Sequence, residues 1–249
     1  MSLSYLRAIL ILDPLIILTT IFMGSVSVLC SFFDGEGRAQ FRVARAWARM
    51  LLRIAGVKMR VEGLERLDPT QSYVLAGNHL SLMDTPVVLG TMPLRFLFMA
   101  NEKYFRIPFL GTHLRRSGNL PVASGDPRAS MRTMTEAARI IRERKLSMVL
   151  FPEGSRSRGE MQDFKEGAAY IAIKAGVPIV PMAIRGTREV LPVGSIHVKP
   201  GPVSLRLGEP IPTEGLTLKD RAALTETLRA RVIDLLGETP ARQSAASGL

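Results

Sequence analysis

The stretch Asn78-His79-Leu80-Ser81-Leu82-Met83-Asp84 carries the side chains of this 249-residue chain best suited to chemistry. Imidazole takes a proton from a hydroxyl near neutral pH. A carboxylate on its other ring nitrogen fixes the tautomer and stabilises the imidazolium as it forms. His79 and Asp84 therefore supply a general base and its orienting partner, but no nucleophile. Spacing alone does not decide the matter, because such pairs also occur as satisfied turn residues. A second stretch, Phe151-Pro152-Glu153-Gly154-Ser155-Arg156-Ser157-Arg158, combines a carboxylate, a glycine, two hydroxyls and two arginines. Arginine forks match phosphate oxygens bidentately, and glycine admits close backbone approach. The plainer alternative is a solvated loop with basic decoration. Glu153 argues against it, since a carboxylate at a strand end is costly unless Arg156, Arg158 or a substrate answers it.

Both stretches need elements that place them. Residues 73–77 read as a short buried strand opening at Asn78, and residues 148–151 as an apolar strand opening at Pro152, which puts both candidate loops at strand ends. Residues 94–100 suit another strand. Residues 129–144 carry Met131, Met134, Ala138 and Ile141 at helical spacing, and 166–175 and 218–236 suit two further helices. Residues 177–184 form a strand that Pro178 and Pro181 assign to an edge or a bulge. Residues 196–199 and 203–207, separated by Pro200-Gly201, predict a β-hairpin. The expected architecture is α/β, with a mixed sheet flanked by helices over residues 57–238 and a disordered tail over 239–249.

Ahead of this domain, residues 1–56 read as membrane-anchoring helices. Residues 14–33 carry no charge, and twenty helical residues span roughly 30 Å, one bilayer core. Asp13-Pro14 interrupts an apolar stretch that begins near Ala8, so either a spanning helix or a hairpin within one leaflet fits. The run is too long for an ordinary signal sequence and lacks a small-residue cleavage site. Arg38, Arg42, Arg45, Arg49 and Arg53 then recur along one helical stripe, with Val43, Trp47, Met50, Leu51 and Ile54 on another face. This suits anionic headgroups, or equally a solvated face of a helix packed on the domain. Only Arg7 precedes the apolar run, which puts the C-terminal part on the cytoplasmic side of the membrane.

Composition narrows the function classes. The net charge of +11 implies an anionic partner. A mean hydropathy of +0.16 and only 6% aromatic residues favour a lipid surface over nucleic acid. The single cysteine, Cys30, excludes an intrachain disulfide and a cysteine zinc cluster. There is no G-x-S-x-G elbow, dinucleotide fingerprint, P-loop or HExxH, so neither a serine hydrolase nor a metal or nucleotide cofactor is expected. A non-catalytic basic membrane-binding protein is the rival of another class.

Three blocks carry a family resemblance. Asn78 to Asp84 resembles the N-H-x-x-x-x-D motif of the glycerolipid acyltransferases, Phe151 to Ser157 resembles their F-P-E-G-T-R-S motif, and Val177 to Ile184 resembles their V-P-I-V-P-V block. The resemblance implies a glycerol-3-phosphate acyltransferase-like fold and transfer of a fatty acyl chain from acyl-CoA or acyl carrier protein to the free hydroxyl of 1-acylglycerol 3-phosphate. Another lysophospholipid or a lyso-aminolipid is the alternative acceptor. It also implies that His79 is the base, that Asp84 orients it, and that Glu153, Gly154, Ser155 and Arg156 bind the acceptor. Asn78 and Ser81 would polarise the thioester or brace the loop. Lys103 and the run from Ile107 to Gly111 resemble the region before a block that normally ends in Asp-Arg, where this chain has Ala123-Ser124. Either Arg115, Arg116 or Arg128 supplies that charge, or the acceptor is not a simple phosphomonoester. Lys165 resembles the first lysine of an F-K-K-G stretch and is a candidate phosphate contact. No cofactor, metal or nucleic acid is implied; the partners are membrane lipid and the acyl donor.

Overall fold

The computed structural model describes residues 8–123, 125–157 and 160–237. Arg7, Ser124, Arg158 and the 239–249 tail lie outside the described residues. Seven strands form one sheet: β1 (Val57–Glu62), β2 (Val74–Gly77), β3 (Phe96–Asn101), β4 (Leu120–Val122), β5 (Ser147–Leu150), β6 (Ile179–Arg185) and β7 (Gly201–Leu207), in the order β1-β7-β6-β2-β5-β3-β4. The block from β6 to β4 is parallel, whereas β7 runs antiparallel to β6 and parallel to β1. The mixed sheet is as the sequence predicts.

Side chains alternate between two apolar layers, as the two-residue period of a strand requires. Leu75 and Val149 join the core under helices α2 (Arg38–Ile54) and α3 (Asp84–Thr91), while Val74, Ala76, Met148 and Leu150 join the opposite core. That second core is closed by α5 (Pro127–Arg144), α6 (Gly167–Ala175) and α8 (Arg221–Leu236). Two short α-helices, α4 (Leu110–Arg116) and α7 (Thr187–Val190), lie between these elements. The β2 strand is short and buried on both faces, so the turn that leaves it at Gly77 starts from a fixed point.

One sequence expectation is corrected, and in two others the structure decides between the alternatives. β6 has the bulge and not the edge, with the register to the following chain slipping by one residue between Met182–Leu207 and Ile179–Ile211. The prolines do not put β6 at an edge, since it lies between β7 and β2. Pro178 precedes the strand. Pro181 turns its carbonyl toward Gly208, whose N–H it accepts at 2.9 Å. Its missing N–H therefore faces the gap between the end of the β7 ladder at Leu207 and the isolated bridge of Ile179 to Ile211, where no ladder bond is lost. Residues 196–199 form no hairpin with β7; Lys199 N–H instead donates to Val190 O at 2.8 Å and β7 takes β1 and β6 as neighbours. Nor does the chain turn back at Pro14. A π-helical turn at Ala8–Leu12 runs into α1 (Asp13–Cys30), because a proline in the first turn of an α-helix gives up only an N–H that has no intrahelical partner.

The helix Ala8–Cys30 is long and apolar enough to cross a membrane, with 23 residues, and only 11% of its most apolar window is buried. It packs on α2, where Trp47 Nε1 donates to Thr20 Oγ1 at 3.1 Å. It is also tied to the rest of the chain near both ends: Asp13 Oδ2 lies 2.7 Å from His197 Nδ1, and Ser27 Oγ lies 2.7 Å from His113 Nδ1. The arginine stripe of α2 is partly spent on packing. Arg49 Nε donates to Gly90 O at 3.0 Å, and the Arg45 guanidinium sits 6.0 Å from the Phe41 ring centroid.

Gly77 marks a close backbone approach, since a Cβ there would lie 1.9 Å from Met182 O on the neighbouring strand. Gly77→Ala is expected to destabilise the fold by about 3 kcal/mol, the upper range for overpacking. Thermal or urea unfolding checks this, and a wild-type midpoint would refute the tight β2–β6 contact.

Candidate active site

Strands β2 and β5 are parallel neighbours, so the His79 and Glu153 loops emerge side by side at the C-terminal edge of the sheet. Where the β2 backbone leaves the sheet, the Asn78 side chain continues its pairing. Asn78 Nδ2 donates to Ile184 O at 2.9 Å, and its Oδ1 accepts Ile184 N–H at 2.8 Å. Ser81 is equally buried; its Oγ donates to Leu191 O at 2.7 Å and accepts Met83 N–H at 3.1 Å. Both side chains are consumed by bracing, so of the two roles open in the sequence the geometry supports this one.

The Asp84 carboxylate is fully buried in the first turn of α3. Its Oδ2 accepts Leu80 N–H at 2.7 Å and Ser81 N–H at 2.9 Å, and it lies 2.7 Å from His79 Nδ1. A carboxylate flanked by backbone donors offers Nδ1 an acceptor, which places the imidazole proton on Nδ1 and leaves the Nε2 lone pair as the base. Nε2 has no partner among the described residues, and the His79 side chain is 19% exposed. The ring stacks on Phe151, with centroids 4.2 Å apart and planes 8° from parallel. His79 thus has one open edge and a fixed plane.

Glu153 is only 3% exposed. Its Oε1 accepts His79 N–H at 2.6 Å and its Oε2 accepts Gln162 N–H at 2.9 Å. In return Ser157 N–H donates to His79 O at 2.8 Å. Both backbone polar groups of His79 are therefore held by the neighbouring loop. Burial pushes the Glu153 carboxyl above its ordinary value, opposed by those two backbone N–H bonds and by His79. The sequence pointed to an arginine or a substrate as the partner of this carboxylate, and backbone N–H groups take that place.

The remaining loop residues lie toward solvent. Gly154 has φ +76°, and a Cβ there would lie 2.6 Å from Lys165 Nζ, so the glycine both permits the turn and leaves room for the lysine. Ser155 is exposed and its Oγ donates to Gln162 Oε1 at 3.3 Å. Arg156 is half-buried, and neither its guanidinium nor the Lys165 ammonium has a hydrogen-bond or ion-pair partner among the described residues. Two cations without carboxylate partners beside one glycine turn suit a phosphate. Lys103 stands apart, on the 3₁₀ turn after β3, with its Nζ 5.2 Å from the Tyr104 ring centroid.

Of the arginines near the missing Asp-Arg, Arg115 and Arg116 are engaged elsewhere. Arg115 donates to Phe105 O, and Arg116 donates to Ser31 Oγ at 3.1 Å with its guanidinium 4.3 Å from the Phe32 ring centroid. Arg128 is exposed in the first turn of α5. Ala123 O accepts Ser130 Oγ–H at 3.1 Å. Sequence reasoning missed Phe151, Gln162, Ser157 and Arg188. Arg188 Nη2 donates to Ser157 Oγ at 3.1 Å and Ser157 O at 3.2 Å, bracing the second loop from α7. Phe151 and Ser157 sit inside the second block, where the signal was present; nothing in the local sequence marks Arg188 or Gln162.

Glu153→Gln is expected to cost about 1–3 kcal/mol, because an amide cannot accept at both ends and leaves one N–H unanswered. The pH dependence follows from the raised carboxyl. The folded state binds the proton more tightly than the unfolded chain, so this group's contribution to stability is fully present below the ordinary glutamate range. It declines as pH rises through the interval just above that range. Urea titrations across that interval should show the decline in the parent protein and a flatter profile in E153Q; identical profiles would refute it.

The chain is 31% identical over 170 residues to a protein of Limnanthes douglasii named 1-acyl-sn-glycerol-3-phosphate acyltransferase, covering 68% of this chain and 60% of that protein. A protein of the same name from Saccharomyces cerevisiae is 27% identical over 240 residues, covering 95% and 78%. The chain spans about three fifths of the length of the plant relatives it matches. The crystal structure of the 1-acyl-sn-glycerophosphate acyltransferase PlsC from Thermotoga maritima superposes with a TM-score of 0.79 at 25% identity, covering 98% of this chain and all of that one. Residues 58–185, about half of the chain and including both candidate loops, match the family model described as Acyltransferase, and the chain belongs to that family.

Proposed function

We propose that the protein transfers a fatty acyl chain from acyl-CoA or acyl carrier protein to the free hydroxyl of 1-acylglycerol 3-phosphate, yielding phosphatidic acid for phospholipid biosynthesis. One observation carries the reading: His79, with Nδ1 2.7 Å from Asp84 Oδ2 and Nε2 open, has its backbone held by the loop that presents Arg156. A base for a hydroxyl and an unpaired cation for a phosphate are thereby joined in one unit. The names of the relatives support the acceptor.

In the proposed reaction His79 Nε2 takes the acceptor hydroxyl proton as the oxygen attacks the thioester carbonyl carbon. Asp84 stabilises the imidazolium. Collapse of the tetrahedral intermediate breaks the C–S bond, and the departing thiolate takes the proton back from Nε2. No acyl-enzyme and no cofactor are needed. Arg156 and Lys165 hold the acceptor phosphate, Glu153 and Gly154 shape the loop that carries them, and Ser155 assists. The protein works at the cytoplasmic face of the cell membrane, with the outer face of α1 in the lipid. Both ends of α1 are tied to one body of protein, and this favours a helix lying along one leaflet over one that crosses it.

The decisive assay presents labelled acyl-CoA and acyl carrier protein donors with lysophosphatidate, other lysophospholipids and lyso-aminolipids in bilayers. Lysophosphatidate should be the preferred acceptor. Preference for a lysolipid without a phosphomonoester would favour the second reading, which the absent arginine after Ala123 supports. His79→Ala should lower turnover about 10²–10⁴-fold, and Asp84→Asn by a similar factor through the wrong tautomer. Full activity in H79A would refute general-base catalysis. Arg156→Ala should raise KM for lysophosphatidate at least about tenfold while affecting a neutral acceptor little, as loss of a charge-assisted phosphate contact requires.

A further inference from the structure

Asp13 is the sole charged residue between Ala8 and Phe33. An ionisable group at membrane depth is costly and is kept for a purpose, with a partner. Asp13 is 9% exposed, its Oδ2 lies 2.7 Å from His197 Nδ1, and its Oδ1 accepts Val198 N–H at 3.3 Å. These partners belong to the segment that leaves α7 and returns at Lys199, whose N–H closes the base of the loop on Val190 O at 2.8 Å. At the start of that loop Leu191 O accepts the Ser81 hydroxyl at 2.7 Å, and Ser81 N–H donates to Asp84 Oδ2 at 2.9 Å. Val198 and Leu191 are buried in the core shared with Met83 and Ile184, so the loop has a packed floor as well as polar ends. One contiguous set of bonds and packed side chains thus runs from the apolar helix to the carboxylate that orients His79.

We propose that Asp13 and His197 are positioning residues for the acyl-transfer reaction. Their clasp holds the 191–198 segment against Ser81, so the His79–Asp84 turn attains its working geometry only when α1 is docked. The inference rests on the function proposed above. It makes α1 more than an anchor: a membrane-embedded element whose seating sets turnover. A misplacement of about 1 Å at a reacting group can cost 10²-fold, so a loosened clasp needs to move the turn by only a fraction of that to matter.

The test is a double-mutant cycle in the full-length protein reconstituted in phosphatidylglycerol-containing bilayers, with lysophosphatidate and acyl-CoA or acyl carrier protein, and with activity expressed per folded enzyme. Asp13→Ala and His197→Ala should each lower kcat about tenfold with the donor KM within about twofold. The double variant should lose no more than either single one, as two residues acting through one contact require. His197→Asn, whose Nδ2 takes the place of the ring Nδ1 and keeps an N–H donor for Asp13, should recover most of the loss seen in H197A. Should D13A not accumulate, Asp13→Leu, which also removes the acceptor, and H197A carry the same cycle. A merely structural clasp predicts lower unfolding temperature with unchanged kcat per folded molecule, and that result would overturn the inference. Losses that multiply in the double variant would overturn it as well. A parent protein that acylates no lysolipid would instead sink the proposed function, and the inference with it.

Discussion

The buried Glu153 carboxylate is the interaction on which the site depends. Taking a carboxylate out of water costs several kcal/mol unless donors replace the lost hydration. Here both oxygens are answered by backbone N–H groups, one from His79 and one from Gln162, and Ser157 returns a bond to the His79 carbonyl. Two irregular loops on adjacent strands thereby become one rigid piece. The sheet brings their starting points within strand spacing, but the apolar layers above and below it carry no information about loop conformation. That information comes from the carboxylate.

A division of labour follows within the two blocks of sequence that carry the site. Asn78, Ser81, Asp84, Glu153 and Ser157 are all buried, and their side chains bond to backbone groups, to His79 or, for Ser157, to Arg188. His79, Gly154, Ser155 and Arg156 face outward. The buried set costs desolvation and contributes geometry, and the exposed set is what a substrate would meet. Such an arrangement fixes a base and a cation relative to each other before any substrate arrives, which is how a site avoids ordering costs during reaction.

Much of this was legible in the sequence, and the failures have physical causes. Strands β2, β3, β5 and β6 and the helices α5, α6 and α8 announce themselves through apolar runs or helical spacing, and the sites fall at strand ends as expected. β4 is three residues long and half-exposed, too short for any pattern to show. Pro181 pointed to an edge or a bulge because a missing N–H ordinarily costs a ladder bond; which of the two applies is set by the neighbouring strand, and the neighbour is not written locally. The same holds for residues 196–199, whose turn signal predicted a hairpin while their partners turned out to be Val190 and Asp13. Glu153 was recognised as needing a partner, but the sequence offered only arginines as candidates. Its real donors are main-chain groups, and every residue except proline carries one. His197 and Asp13 are separated by 184 positions, and neither residue type nor spacing hints at their contact.

The placement of α1 bears on the energetics of the proposed reaction. A lysolipid acceptor keeps its acyl chain in the bilayer at a gain of about 0.8 kcal/mol per buried methylene, so lifting a chain of about fifteen methylenes into water would cost on the order of 12 kcal/mol. No plausible phosphate clamp offsets that. An enzyme acting on such an acceptor has to bring its base to the glycerol hydroxyl while the chain stays in lipid. A helix with an exposed apolar outer face, including Leu18 and Phe22, and with both ends fastened to the domain that carries the base would accomplish this. It would set the height of His79 above the hydrocarbon, and the basic residues of α2 left outside the core would face the headgroups at the same level. On this reading the polar contacts at Asp13 and Ser27 matter because they turn a hydrophobic anchor into a ruler: without them α1 would still bind lipid, but the depth at which the base meets its hydroxyl would no longer be fixed.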